Sequence, residues 1–205
     1  MTYQLLVSTM HQKDFSLLDR MQIDSDAIII NQADRVAYDC VTYKGHKVEM
    51  YTFAERGVGL SRNSALMRAT ADIVQFADDD MVMAPGYREK VLKEFSSHPK
   101  ADVLLFFVDG FNKGKEPYMI KRFKRIGLIE ARNYNTSRLA VRREFLAYHN
   151  LCFSLLFGGG ARYSCGEDTL LLYDMLRCGL RLYSSPVKVA DLLPSQSTWF
   201  TGYTE

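Results

Sequence analysis

The run Ala27-Ile28-Ile29-Ile30, closed by Asn31-Gln32, constrains the fold more than any other segment. It is short, wholly apolar and mostly β-branched. Such a run suits a central parallel strand covered on both faces. Its neighbours repeat the theme. Residues 3–8, 73–77 and 103–108 read as further buried strands, and 36–43 and 47–53 as two more with a turn at Lys44-Gly45. Between them, 14–21, 59–69 and 87–95 carry apolar residues at helical spacing, with Ser61 as a candidate N-cap for the second of these helices. Strand and helix in alternation predict an α/β fold, a mixed but mostly parallel sheet flanked by helices.

In open sheets of this kind a ligand binds outside the carboxyl ends of the strands. Three predicted strand ends carry polar groups: Ser8-Thr9, Asn31-Gln32, and Asp78-Asp79-Asp80. The last is the densest. Three adjacent carboxylates repel one another unless a cation sits among them. Mg²⁺ characteristically takes one or two protein carboxylates and fills its other positions with water and substrate phosphates. The alternative is a solvated acidic turn, because Asp is common in turns.

At 205 residues the chain is long enough for one full core. Its net charge of +2 makes no case for a nucleic-acid partner. The charge is uneven, with ten Lys/Arg against Glu116 and Glu130 between Lys113 and Arg143. That stretch reads as a solvated face, or as a surface for a phosphorylated acceptor or anionic lipid heads. The N-terminus shows no cationic leader, and no apolar run approaches the roughly 20 residues of a membrane span. Cys40, Cys152, Cys165 and Cys178 lack metal-ligand spacing and read as reduced, partly buried thiols of a cytoplasmic protein. His11, His46, His98 and His149 show no ligand spacing either.

The second half is less regular. Weak strand signals fall at 118–123 and 137–141, and short final strands at 182–183 and 187–189. Residues 151–157 are apolar and lead into Gly158-Gly159-Gly160, read as a flexible loop that lets a substrate approach. Gly166-Glu167-Asp168 then opens a helix that closes at Gly179. Acids in a first helical turn complement the helix dipole, and one of them could also serve as a general base. The glycine-rich turn before Arg62 is a candidate phosphate cradle, with Arg62 either contacting a diphosphate or lying on the surface.

The order of these pieces resembles family 2 glycosyltransferases, of the inverting, metal-dependent GT-A type. The match lies in Val7-Ser8-Thr9, in Gly59-Leu60-Ser61-Arg62-Asn63-Ser64-Ala65-Leu66, and in Phe76-Ala77-Asp78-Asp79-Asp80. Phe157-Gly158-Gly159-Gly160 and Gly166-Glu167-Asp168-Thr169-Leu170-Leu171 complete it. Ser197-Thr198-Trp199-Phe200 is similar to a bacterial subgroup that builds capsular and surface polysaccharide. The resemblance implies one GT-A domain over 1–205, with a nucleotide-sugar half at about 1–108 and an acceptor half at about 109–205. Relatives continue beyond the last motif, so the acceptor half is expected to be cut short.

By this resemblance Asp80, with Asp78 or Asp79, would bind Mn²⁺ or Mg²⁺ at the donor's diphosphate. Ser8, Thr9, Gln32, Arg62, Asp78 and Asp79 would meet the donor. Asp168 would be the base, with Glu167 its neighbour. The implied donor is a nucleotide-diphosphate sugar, UDP-linked by expectation. The implied acceptor is a saccharide or lipid-linked saccharide, met in the cytoplasm or at the inner face of the membrane by peripheral association. Two positions depart from the pattern: Asn31-Gln32 stands where an acid is usual in the base pocket, with Asp34 just beyond, and Phe153-Ser154-Leu155 replaces a Phe-acid-acid sequence. A sugar-phosphate nucleotidyltransferase would instead need a glycine-rich basic loop after the first strand, where Ser8-Thr9-Met10-His11-Gln12 stands. A non-catalytic nucleotide-sugar-binding module would bind donor without turnover.

Overall fold

The computed structural model describes residues 1–110 and 120–193. Lys113, Glu116, the start of the strand predicted at 118–123, and Ser197-Thr198-Trp199-Phe200 lie outside the described residues. Ten strands form one sheet: β1 Tyr3–Met10, β2 Ala27–Gln32, β3 Ala37–Tyr43, β4 His46–Phe53, β5 Ile73–Asp78, β6 Met81–Met83, β7 Val103–Asp109, β8 Lys124–Arg125, β9 Leu139–Arg142 and β10 Leu182–Leu192. The helices are α1 Leu17–Arg20, α2 Val58–Arg68, α3 Tyr87–Ser97, α4 Leu128–Ala131, α5 Arg143–Tyr148 and α6 Glu167–Arg177, with a 3-10 turn at Thr136–Arg138.

The sheet order is β3-β4-β2-β1-β5-β9-β7-β10-β6, and β8 pairs with β10. β4, β2, β1 and β5 run parallel, as do β7 and β10, while β9 runs antiparallel between β5 and β7. From β1 the chain moves outward to β2 and on to β3 at the edge, folds back as β4 between them, then returns to place β5 on the other side of β1. The crevice between the carboxyl ends of β1 and β5 is therefore the topological switch point, where open α/β sheets bind ligands. Ser8 and Asp78 sit opposite each other there.

Both faces are covered, as the apolar run of β2 requires; all six of its residues are buried. On one face α1 and α3 bury Leu17, Leu18, Tyr87, Val91 and Phe95. On the other, α2, α5 and α6 bury Ala65, Leu146, Leu171, Leu172 and Met175. α6 ends in a Schellman motif: Gly179, at φ +85, donates to Leu176 O and Leu180 donates to Met175 O. The turn at Lys44-Gly45 has positive φ at both residues, as a two-residue hairpin demands.

Several expectations change. The first helix shrinks to four residues, because Asp14 binds the Ser16 amide and holds the preceding segment in a turn. α2 starts at Val58 rather than at a Ser61 cap. Gly57, at φ +128, takes the N-cap position, and the Ser61 hydroxyl instead donates to Ser8 Oγ at 2.9 Å. The two short final strands are one, β10, with register shifts between Ser185 and Ala190 beside Pro186, which lacks an N–H to pair. No strand forms in the described part of 118–123, and the strand that follows, β8, begins at Lys124. The four cysteines are free, as expected, but exposed rather than partly buried. Part of the basic stretch is structural: Arg138, Arg142 and Arg143 donate to the carbonyls of Val108, Ala101 and Ala71, while Lys121, Arg122, Arg125 and Arg132 are exposed.

Candidate functional site

At the switch point the strand ends make a continuous polar row. Thr9 donates to Asp79 Oδ2 at 2.5 Å, and Gln12 Nε2 donates to Thr9 Oγ1 at 2.8 Å. The Gln12 amide reaches Asn31 Oδ1, and Asn31 Nδ2 donates to Thr52 Oγ1. Gln32 is buried, and both ends of its amide are used on Gly57: Nε2 donates to the Gly57 carbonyl and Oε1 accepts from the Gly57 amide. Its amide therefore fixes the position of Gly57 at the start of α2. Gln12 lies in a segment read only as lacking glycine, and its linking role carried no sequence signal.

The centre of the site is Arg62. α2 carries it under the sheet end, where its side chain is only 5% exposed. Nη1 donates to Glu167 Oε1 at 3.0 Å and to Asp168 Oδ1 at 2.9 Å. Nη2 donates to Asp78 Oδ1 at 3.1 Å. The planar guanidinium also lies over the Phe153 ring at 5.3 Å, and Phe153 packs edge-on against Phe76. So Asp78, Arg62, Glu167 and Asp168, far apart in sequence, meet at one point. Phe153 is a support that sequence reasoning passed over, noting only the missing acids after it.

One cation faces three carboxylates, and the excess negative charge shifts the pKa of Arg62 and of Glu167 upward. Burial alone would lower the Arg62 pKa, but Asp78, Asp168 and Glu167 together raise it. Glu167 is pushed up, first by burial and then by the charge of Asp168, with Arg62 acting the other way. A buried acid with a neighbouring acid holds its proton more readily. Thr136 Oγ1 completes the cluster with a hydrogen bond to Asp168 Oδ1. Nothing in the sequence singled it out.

The glycine loop packs tightly where the sequence reading expected free approach. Gly159 O accepts from the Val58 amide at 2.8 Å, so the loop caps α2 and occupies part of the proposed phosphate cradle. A Cβ on Gly158, at φ +102, would lie 2.7 Å from Val58 Cγ1 and 2.8 Å from Glu167 Cδ. A Cβ on Gly59 would lie 2.6 Å from the Ser154 carbonyl oxygen. These glycines allow close approach, and the loop thereby walls in Glu167.

The acidic run offers hard oxygen donors. Asp78, Asp79 and Asp80 are all half-buried at the end of β5, and the Asp80 carbonyl anchors the Leu193 amide. Among the described residues no group of three or more His, Cys, Asp or Glu side chains is arranged to hold a metal alone. A Mg²⁺ or Mn²⁺ site completed by water and diphosphate needs only one or two carboxylates, so the donor set fits such an ion. No described helix is long and apolar enough to cross a membrane.

Comparison with known proteins bears on the fold. S. aureus TarS residues 1–349 in complex with UDP-GlcNAc superposes with a TM-score of 0.71 at 17% identity, covering 99% of this chain and 62% of that one. The same TarS fragment in complex with UDP gives 0.69 at 17% identity, covering 95% and 61%. A further crystal structure of S. aureus TarS gives 0.66 at 16% identity, covering 94% and 37%. The chain thus spans about three fifths or less of these relatives, and the likeness establishes a GT-A fold. A comparison with curated proteins finds no match. The sequence profile of Glycosyl transferase family 2 matches residues 17–158, which contain β5, Arg62 and the acidic run. The chain belongs to glycosyl transferase family 2.

Proposed function

We propose that this chain transfers a sugar from a UDP-linked donor to an acceptor hydroxyl with inversion, in bacterial polysaccharide synthesis. The observation that carries this reading is the arginine-centred bridge from Asp78, at the switch point, to Asp168, at the start of α6. It sets a carboxylate for the donor side and a carboxylate for the acceptor side on one fixed cation. The likeness to a protein crystallised with UDP-GlcNAc supports the choice of donor class.

Ser8, Thr9 and Asp79 line the nucleotide side, with Gln32 behind Gly57. Arg62 holds Asp78 and Asp168 in register. Asp80, with Asp78, would hold Mn²⁺ or Mg²⁺, which when bound supplies positive charge to the diphosphate. Asp168 takes the proton of the acceptor hydroxyl as that oxygen attacks the anomeric carbon. The bond from that carbon to the diphosphate oxygen breaks on the opposite face, and the nucleoside diphosphate leaves with the electron pair. Attack and departure on opposite faces invert the centre. A lipid-linked saccharide acceptor would suit work at the inner face of a membrane.

The test is calorimetry with UDP-GlcNAc and other UDP-sugars, with Mn²⁺ and again with chelator, followed by transfer to a saccharide panel. Metal-dependent binding with transfer that Asp168→Asn abolishes supports the reading. Transfer undiminished by Asp168→Asn removes the base from it, and donor binding without any turnover makes the chain a binding module.

A further inference from the structure

The geometry points to Thr136 as a positioning residue for the base, one that fixes Asp168 so that only Oδ2 receives the acceptor proton; this rests on the transferase reading above. Asp168 has two carboxylate oxygens in contrasting surroundings. Oδ1 accepts from Arg62 Nη1 at 2.9 Å and from the Thr136 hydroxyl. Oδ2 has no hydrogen-bond partner among the described residues, and it is not one of the buried polar atoms left without a partner. The side chain as a whole is 23% exposed. Among the described residues Oδ2 is therefore the oxygen left for an incoming hydroxyl.

Thr136 is built to hold this arrangement. It lies in the 3-10 turn Thr136–Arg138 and is 3% exposed. Ser137 Oγ donates to Asn135 Oδ1, the Arg138 amide donates to the Asn135 carbonyl, and Arg138 Nη2 donates to Val108 O at the end of β7. The turn is thus tied to the sheet, and a β-branched side chain on it has few χ1 choices. A single donor on Oδ1 would leave the carboxylate free to rotate about its χ2. Two donors from different directions, one on α2 and one on the turn, define its plane. Arg62 alone cannot do this, because Nη1 is shared with Glu167. A charged acceptor with two donors on one oxygen keeps its proton affinity on the other, so proton transfer has one route. A general base works only within hydrogen-bond reach of the proton it takes, so orientation matters as much as basicity.

The test measures UDP release from UDP-GlcNAc with Mn²⁺ for the wild type, Thr136→Val and Thr136→Ser. Valine keeps the shape and removes the donor. Serine keeps the donor. The expected result is a kcat loss of about tenfold to a hundredfold for Thr136→Val with donor KM little changed, and near-wild-type turnover for Thr136→Ser. Should the valine variant not fold, Thr136→Ala removes the same donor without adding atoms and is read the same way. Full turnover by the valine or alanine variant overturns the inference while leaving the transferase reading intact. A serine variant as impaired as the valine variant also overturns it, since the hydroxyl would not be the cause. No turnover by the wild type with any acceptor overturns the transferase reading, and this inference with it.

Discussion

Arg62 and Glu167 stand 105 residues apart in sequence and meet at 3.0 Å, both nearly sealed from solvent. Their contact joins the first half of the chain to the second. It also gives the site its electrostatic character, because Glu167 shares its cation with two other acids.

Removing that cation is predicted to be costly. Arg62→Met would leave Asp78, Glu167 and Asp168 facing one another with no positive charge among them. Breaking a buried pair from one side typically costs about 3–5 kcal/mol. Urea unfolding at pH 7 should show a loss in that range. Arg62→Lys should recover only part of it, since one ammonium cannot reproduce the planar fork. A loss below about 1 kcal/mol for the methionine variant would mean that the cluster relaxes without its arginine.

Much of the fold was legible because it rests on local pattern. The apolar run of β2, the hairpin at Lys44-Gly45 and the cap at Gly179 each follow from a few neighbouring residues. The site was legible only where family motifs carried it. Asp78, Arg62, Glu167 and Asp168 appear in those motifs, but their meeting on one guanidinium is a tertiary fact that no spacing announces. Thr136 and Phe153 were passed over because a threonine in an irregular stretch and a buried aromatic look like many others. The glycines misled for a related reason. A sequence shows the missing Cβ but not the neighbour that occupies the space.

That neighbour makes a sharp prediction at Gly59. Helix propensity alone favours Gly59→Ala by about 1 kcal/mol. The new Cβ would lie 2.6 Å from a backbone oxygen, Ser154 O, which no side-chain rotation relieves. Overpacking of this kind costs about 1–3 kcal/mol, so the net effect should be destabilising. Gly127→Ala is the control: φ is −101 and nothing lies within 4 Å of its Cβ. Thermal melts of the two variants should move apart, with Gly59→Ala lower. Equal midpoints would show that the loop at 154 yields easily.

Acid should weaken the clamp between Asp102 and Arg181. Asp102 accepts from Arg181 Nε at 2.9 Å, from Nη2 at 2.8 Å and from the Arg181 amide at 2.8 Å. Burial would raise its pKa, but these bonds hold it below the ordinary 3.8. A depressed folded pKa stabilises the fold above 3.8 and loses that contribution as pH falls through the folded value. Asp102→Asn should therefore be less stable than wild type at pH 7, with the gap closing as the pH drops below 3.8. A gap independent of pH in denaturant titrations would assign the effect to packing.

Glu167 should behave in the opposite sense. Its folded pKa is raised above the ordinary 4.5 by burial first and by Asp168 second, against the pull of Arg62. The folded state therefore holds this proton more tightly than the unfolded chain does. Such a group stabilises fully below 4.5, and the contribution is lost as pH rises through the raised value. Glu167→Gln cannot ionise, so it lacks this loss, and its amide oxygen can still accept from Arg62 Nη1. Between about pH 4 and pH 7 the stability of the glutamine variant relative to wild type should shift in the variant's favour. Urea unfolding of both proteins across that range measures the shift directly. A constant difference would show that Glu167 titrates alike in folded and unfolded chains. A difference moving toward wild type would show that the Arg62 pair outweighs both burial and Asp168.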